Sequence, residues 1–292
     1  FCSVGGGAFN QASVPYVSIS GGSYNSGGTQ YVAIGGGTFN NGIGYAAVVA
    51  GGSSNTIGSS ADVAGKFSVI SGGNLNTVQA DFSTVGGGYH NIVEVKAYAT
   101  VSGGKNSRAM EYAATVGGGD SNTAAGKNSV VAGGGTDNSE PGNRALLSYS
   151  TISGGCSNVA NNSFAVIGGG NHNTIHGIAG FVGGGHLNTN NGKVAVLVGG
   201  TENRIEYVSF GAFIGGGRSN SIDAYFATLT GGNRNINTGD YGTISGGVDN
   251  TVDAAVAALV SGGVKNLASG NYSVVCGGGH NLATGLAAFV GG

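Results

Sequence analysis

The chain of 292 residues has no tryptophan, two prolines, one methionine and three cysteines, and only 8% of its residues are charged. Each scarcity excludes something. Three cysteines cannot build the disulfide framework of a small secreted scaffold. A formal net charge of −2 supplies no basic field, so nucleic acid is not an expected partner. No apolar run approaches the ~20 residues of a membrane helix and no signal peptide is visible, so no membrane insertion is expected in this segment. What abounds is glycine, at 63 residues, beside a hydrophobic content of 40%. Glycine alone would suggest low complexity. Regularly placed Val and Ile argue otherwise, because disordered chains lack apolar residues to bury.

Those residues recur with a period of about 15. The unit reads Ser18-Ile19-Ser20-Gly21-Gly22-Ser23-Tyr24-Asn25, then Ala33-Ile34-Gly35-Gly36-Gly37-Thr38-Phe39-Asn40, and persists to Val274-Val275-Cys276-Gly277-Gly278. A short period over a whole chain means one structural unit stacked on itself. Alignment on the Gly-Gly pair gives 19 copies, the last truncated. The residue two before the pair is always apolar, as in Val4, Ile19, Ile70, Val131, Leu197 and Val275, which is the mark of a strand with one filled face. Its neighbour two positions earlier is small in nearly every copy, as in Ser150, Ala165 and Gly242, which suits a narrow interior.

The strand's other face is expected to be packed as well. Its outer position is aromatic in 11 of 19 copies: Phe1, Tyr16, Tyr31, Phe67, Phe82, Tyr98, Tyr149, Phe164, Phe226, Tyr241 and Tyr272. Where the aromatic is lost, the residue two further on often enlarges, Ala179 being followed by Phe181, Gly211 by Phe213, Ala257 by Leu259 and Ala287 by Phe289. Such trading of volume is the behaviour of a packed surface. No charged residue occurs from the aromatic position through the Gly pair in any copy. The aromatic column, with Phe181, Phe213 and Phe289, is therefore the expected inter-chain packing face.

Both glycines are present in all 18 copies long enough to show them, as a corner with positive φ or close backbone approach requires. An Asn follows three residues later in 16 of those 18, including Asn25, Asn40, Asn55, Asn76, Asn91, Asn173, Asn188, Asn203, Asn235 and Asn250. Asn106 stands one residue early and Asn138 one late. Stacked Asn side chains are expected to bond one another in a ladder. Thr56–Lys66 and Ser139–Ser148 lengthen their copies by about six residues and Arg204–Ala212 by two, bringing Asp62, Lys66, Glu140, Arg144 and Glu206. Such loops are where a binding function could be grafted.

These columns predict an all-β fold: a parallel β-solenoid or β-roll of about 19 coils, with a strand buried on both faces and an oligomeric state. Coils spaced at ~4.8 Å would make a rod roughly 90 Å long. Residues 1–292 read as one continuous repeat array that starts and stops within a repeat and shows no polar cap. A segment of a longer protein or of a filament is the expected context.

Chemistry-bearing patterns are sparse. Cys2, Cys156 and Cys276 fall in distant coils, too far apart for a disulfide. His172 and His186 lie on neighbouring coils with His176 nearby, but no convergent partner completes a metal set. Gly117-Gly118-Gly119-Asp120 is superficially like a calcium repeat, yet the period is 15 instead of 9. The Gly pair leads to Asn and a strand, with no Lys-Ser/Thr and no helix, so it is no phosphate loop. No nucleophile–base or paired-carboxylate set stands apart from the repeat, so neither catalysis nor a cofactor or metal is expected. Asn161 and Asn271 are formal glycosylation acceptors.

The segments Tyr31-Val32-Ala33-Ile34-Gly35 and Asn271-Tyr272-Ser273-Val274-Val275-Cys276-Gly277, with Asn122–Gly126, resemble the head repeats of trimeric autotransporter adhesins. The resemblance covers essentially the whole chain and implies a parallel β-roll, three chains packed side by side, displayed outside the cell for adhesion. The chain differs from that family in its Gly-Gly doublet and its aromatic column. The expected function is thus an extracellular or cell-surface structural or adhesive fibre protein without catalysis. Its expected partner is itself, as a homo-oligomer with a trimer favoured, or as a head-to-tail filament. The alternative is a ligand-binding solenoid. Glycans on host or environmental surfaces are one candidate ligand. Ice is a weaker one, because the Thr column of Thr84, Thr100, Thr115, Thr151, Thr228 and Thr243 is interrupted by Phe181, Phe213 and Leu259.

Overall fold

A computed structural model describes residues 1–59, 64–94, 96–136 and 141–292. Among them the fold is all-β, a parallel β-solenoid of about 19 turns built from strands of two residues each. The chain divides into two compact units, Phe1–Tyr149 and Ser150–Gly292. In each, every coil carries a first strand such as Ser18–Ile19 or Val166–Ile167 and a second strand such as Thr77–Val78 or Thr251–Val252. Each strand pairs in parallel with its counterpart one coil on, column against column: Ser18 with Ala33 and Ile19 with Ile34, or Thr174 with Thr189. A shorter ladder of single bridges, Ser23 to Thr38 to Ser53, runs between them. A coil thus has two broad strand-bearing sides joined by one short edge.

The apolar column supplies the core. Ile19, Ile34, Ile70, Ile152, Leu197 and Ile214 point between the two strands and are fully buried, each contributing about 1.5–3 kcal/mol by leaving water. Interior volume is matched within the coil. Val17 and Val32 stand where other coils carry Ala or Ser, and the second strands opposite them carry Gly27 and Gly42. A Cβ on Gly27 would come within 2.4 Å of Val17, and one on Gly42 within 2.6 Å of Val32. In the second unit the same inward position holds Asn190 and Asn237, both buried. Asn190 donates to the carbonyls of Phe181 and Ala195, and Asn237 to those of Thr228 and Gly242. Each also accepts a backbone N–H, from Gly192 and Gly239, so neither leaves a polar group unsatisfied.

The chain turns at three left-handed corners per coil. One is the second Gly of the doublet, with φ near +90° at Gly22, Gly104 and Gly200. The other two are not glycine, save Gly211 in the second unit. The column before the Asn (Tyr24, Phe39, Leu75, Arg234) and the aromatic column (Tyr16, Tyr31, Phe67, Tyr241) all have φ between 51° and 66°. The aromatics therefore occupy a turn ahead of the first strand, not the strand itself as its alternation suggested. A side chain in this region costs about 1–2 kcal/mol, and a β-branched one is the least comfortable there. Val194, at φ 55° and half-exposed, is such a residue. Val194→Gly is expected to stabilise its coil by about 1 kcal/mol, read as a rise in the urea midpoint; an unchanged or lower midpoint would contradict the strain.

Of the segment Thr56–Lys66, which follows Asn55, Thr56 and Ile57 form the second strand and Lys66 directly precedes the Phe67 corner, with Asp62 outside the described residues. The other six-residue extension is placed differently. Asn138 and Glu140 lie outside the described residues, and Asn143 takes the Asn position: its N–H donates to Asn122 Oδ1 at 3.0 Å and its Nδ2 to the Gly133 carbonyl at 2.9 Å. The extra residues thus precede the Asn in the chain instead of following it. The reason is spacing, since Asn143 precedes Tyr149 by the same interval that separates Asn25 from Tyr31.

Candidate interaction face

Beside the glycine corner, each Asn of the repeat column is fixed by its neighbours above and below. Asn188 is buried; its Nδ2 donates to the carbonyls of Gly184 (3.0 Å) and Gly200 (2.9 Å) and to Asn173 Oδ1 (3.1 Å), and its Oδ1 accepts the N–H of Asn203 at 3.0 Å. The two carbonyl contacts recur at Asn25, Asn40, Asn55, Asn76 and Asn91 in the first unit and at Asn173, Asn203, Asn235 and Asn250 in the second, and the bond to the preceding Asn Oδ1 at Asn25, Asn55, Asn76, Asn173 and Asn235. Asn–Asn bonds are only part of it. Most of the amide's capacity goes to backbone, which makes the column an internal clamp on the glycine corner and leaves it no contact with a partner. Ser107 takes the position that Asn106 misses, its N–H donating to Asn91 Oδ1.

The aromatic column forms a ladder on the surface. In the first unit Tyr16 stacks on Tyr31 with centroids 4.8 Å apart, and Phe67, Phe82 and Tyr98 stack at 5.2 Å. Where the corner residue is Ala46 or Ala113, the residue before it supplies the ring: Tyr45 bridges Tyr31 and Phe67 edge-on, and Tyr112 extends the ladder beyond Tyr98. Lys127 lies over the Tyr112 ring. In the second unit Phe210 does the same beside Gly211, continuing to Phe226 and Tyr241. Each ring pair is worth about 0.5–1.5 kcal/mol, comparable with the cost of the left-handed corner it occupies. A shorter ladder, Phe9–Tyr24–Phe39, lines the short edge of the first unit.

These rings are half open: Tyr16 is 50% exposed, Tyr98 51% and Phe226 45%. Tyr149, Phe164 and Tyr272 share their corner conformation and exposure, while Phe181, Phe213 and Phe289 stand on the first strand itself. Next to the ladder the first strand's outward residues are small or β-branched and partly exposed, as at Ala33, Thr84, Thr100 and Val166. Within one chain, then, the first strand has one buried face and one part-exposed face; closing the second face takes another molecule.

Charge distinguishes this side from the others. Among the described residues no Lys, Arg, Asp or Glu stands on the outward positions from the aromatic corner across the first strand to the first Gly of the doublet. The second-strand side carries Glu94, Arg108, Arg144, Arg204, Glu206, Asp223 and Asp253, and the short edge carries Lys105, Asp120, Glu202, Arg218, Arg234, Asp249 and Lys265. Ion pairs form there, Arg108 with Glu94, Arg204 with Glu206, and Arg234 with Asp249 through two bonds of 2.6 and 2.8 Å. The hydrogen bond from Arg234 holds the Asp249 carboxyl below its usual range and the guanidinium above its own. A depressed carboxylate adds stability above its unfolded pKa of about 4 and loses it as pH falls through the lower folded value. Because this pair lies at the surface, Asp249→Asn is expected to move the melting temperature little and only in low salt. A large shift that survives high salt would mean the pair is shielded from solvent.

The remaining candidates do not gather into a site. His172 and His186 meet edge to edge at 6.4 Å, while His176 is engaged by Asn191 and lies near Tyr207. Among the described residues no group of three or more His, Cys, Asp or Glu could hold a metal ion, and no helix is long and apolar enough to cross a membrane. Cys2, Cys156 and Cys276 are free thiols. The stacked rings cover one another's faces along the ladder, whereas Tyr45, Tyr112 and Phe210 stand at 68–73° to their neighbours. The registered threonines Thr84, Thr100 and Thr115 give way to Val130 in the next coil. No family model matches the chain, and a search of curated proteins finds no match.

Proposed function

We propose that this protein is a structural element of an extracellular or cell-surface fibre, without catalysis, which associates with further copies of itself through the uncharged first-strand side. The observation that carries the reading is the partition of charge: one broad side of the coil is uncharged along both units, while from Lys66 onward the described charges lie on the other side, on the short edge and just ahead of the aromatic corner, as Lys66, Asp81, Lys127, Lys193 and Asp240 do. A side left to solvent over so many coils would be expected to carry Lys, Glu or Asp, since extended uncharged surface with exposed rings marks contact sites. The resemblance to adhesin head repeats supports display outside the cell and an adhesive role, and the regular coil supplies length and stiffness.

Sedimentation velocity over a wide concentration range tests the association. The expected result is a species heavier than 28.2 kDa whose population rises with concentration. A monomer at every concentration would overturn self-association through this side.

A further inference from the structure

The geometry points to a definite partner arrangement for the unit Phe1–Tyr149: a second copy, seated face to face and parallel, related by a two-fold axis that runs along the coil axis. The inference rests on the reading of the uncharged side as a self-association surface. It adds the symmetry, the direction and the residues that meet.

Symmetry follows from the number of uncharged sides. A ring of three, like any heterologous contact, requires each chain to offer two different surfaces to its neighbours, whereas a two-fold contact uses the same surface on both copies. Across this unit the first-strand side is free of charge from end to end, whereas among the described residues the opposite broad side carries Glu94, Arg108 and Arg144, the short edge Lys105 and Asp120, and the approach to the ring corner Lys66, Asp81, Lys96, Glu111 and Lys127. A single flat side is covered by one copy of itself.

Direction follows from relief. One margin of the side is raised by the ring ladder through Tyr31, Phe67 and Tyr98. The other margin is the first Gly of each doublet, where nothing of the chain itself fills the space: a Cβ added to Gly51 would meet nothing within 4 Å, and one on Gly21 or Gly103 nothing nearer than 4.0 Å. In the same column Gly36, Gly72, Gly87 and Gly118 have φ of +139° to +158°, which itself favours glycine, but Gly21, Gly51 and Gly103 do not have positive φ, so at those three neither backbone conformation nor internal packing demands the glycine that stands there. A two-fold along the coil axis exchanges the margins. It lays the ring ridge of one copy over the glycine margin of the other, coil for coil, with Tyr98 above the partner copy's glycine rim. A two-fold across the axis would instead set ridge against ridge and leave both glycine margins uncovered.

The area suffices. The nine first strands of the unit, Ser3–Val4 to Val130–Val131, span about 43 Å at ~4.8 Å per coil, and five residues from ring to glycine span about 16 Å. Two such sides bury about 1,400 Å², within the roughly 1,200–2,000 Å² of stable interfaces.

The test uses the full chain with Cys2, Cys156 and Cys276 replaced by Ser. A single spin label is placed in turn at Ser26→Cys, Thr77→Cys and Thr123→Cys, which share one column of the second strand, away from the contact. Parallel pairing gives the same inter-copy distance at all three positions by dipolar spectroscopy. Distances that change from position to position, including a shorter one at Thr77 than at Ser26 and Thr123 as an antiparallel pair centred on the unit would give, or a trimer by sedimentation, would overturn this arrangement while leaving self-association intact. A monomer would overturn both. Thr100→Lys, on the outward face of the first strand, is expected to weaken association at least 10-fold with an unchanged far-ultraviolet spectrum, and Thr77→Lys on the charged side to leave it unchanged. Equal effects of the two lysines would place the contact elsewhere.

Discussion

Gly170→Ala is expected to destabilise its coil by about 3 kcal/mol, whereas Gly169→Ala, one residue earlier, should stabilise the chain by about 0.5 kcal/mol. The doublet looks uniform in sequence, but its two members meet different physics. Gly170 has φ +86°, and a Cβ there would lie 2.2 Å from the Gly185 carbonyl oxygen and 2.6 Å from Asn173 Nδ2. Left-handed strain of about 1–2 kcal/mol and overpacking of about 1–3 kcal/mol both oppose the methyl group. The carbonyl belongs to the next coil and the amide to the clamp, so neither can move without opening the ladder. Gly169 lacks a positive φ, and its Cβ would meet nothing within 4 Å. Alanine there mainly restricts the unfolded chain. Because repeat arrays open unit by unit, the measurement is hydrogen-exchange protection of the surrounding amides in dilute monomer. Equal losses for both variants would mean that the first Gly is also demanded by the coil itself.

Asn188→Ala should cost about 2–6 kcal/mol, among the largest effects available to a single side chain here. It removes the acceptor of the Asn203 N–H and the donor to the Gly184 carbonyl, while the Gly200 carbonyl keeps the His186 N–H. Buried polar groups left without partners cost about 1–3 kcal/mol each. Asn188→Asp separates the two roles, since the carboxylate keeps the acceptor and loses the donor. Burial and the facing carbonyls disfavour its charged form, so its folded-state pKa lies above the unfolded value of about 3.9. The stability of that variant is then greatest below about pH 4 and falls as the pH rises toward the folded-state pKa. Urea titrations at about pH 3 and pH 7 check the sign. An Asp variant indifferent to pH, beside an Ala variant within about 1 kcal/mol of the parent, would show that the clamp is dispensable.

Much of this architecture is legible in the repeat because the coil is short and every constraint recurs. A β-branched column such as Ile19, Ile34 and Val49 can only be an inward strand position, and a small neighbour such as Ala165 can only mean a narrow interior. The less legible part is the conformation of the non-glycine corners. Tyr and Phe are strand formers, and nothing in Tyr16 or Phe67 announces a left-handed turn; the stacking that compensates it exists only once coils are stacked and bring ring centroids to 4.8–5.2 Å. The substitution of Tyr45 for a missing corner ring beside Ala46 is hidden for the same reason, being a contact between coils and not a pattern along the chain.

By itself the sequence determined the solenoid, its period, its filled face and the column free of charge, since each is a property of one residue type recurring at one interval. The tertiary structure decided which glycine is indispensable, how the Asn amides divide their hydrogen bonds, and that Asn143 carries the clamp through the second long insertion. Those outcomes depend on distances between atoms of successive coils, and a repeat specifies such distances only after its copies have been stacked.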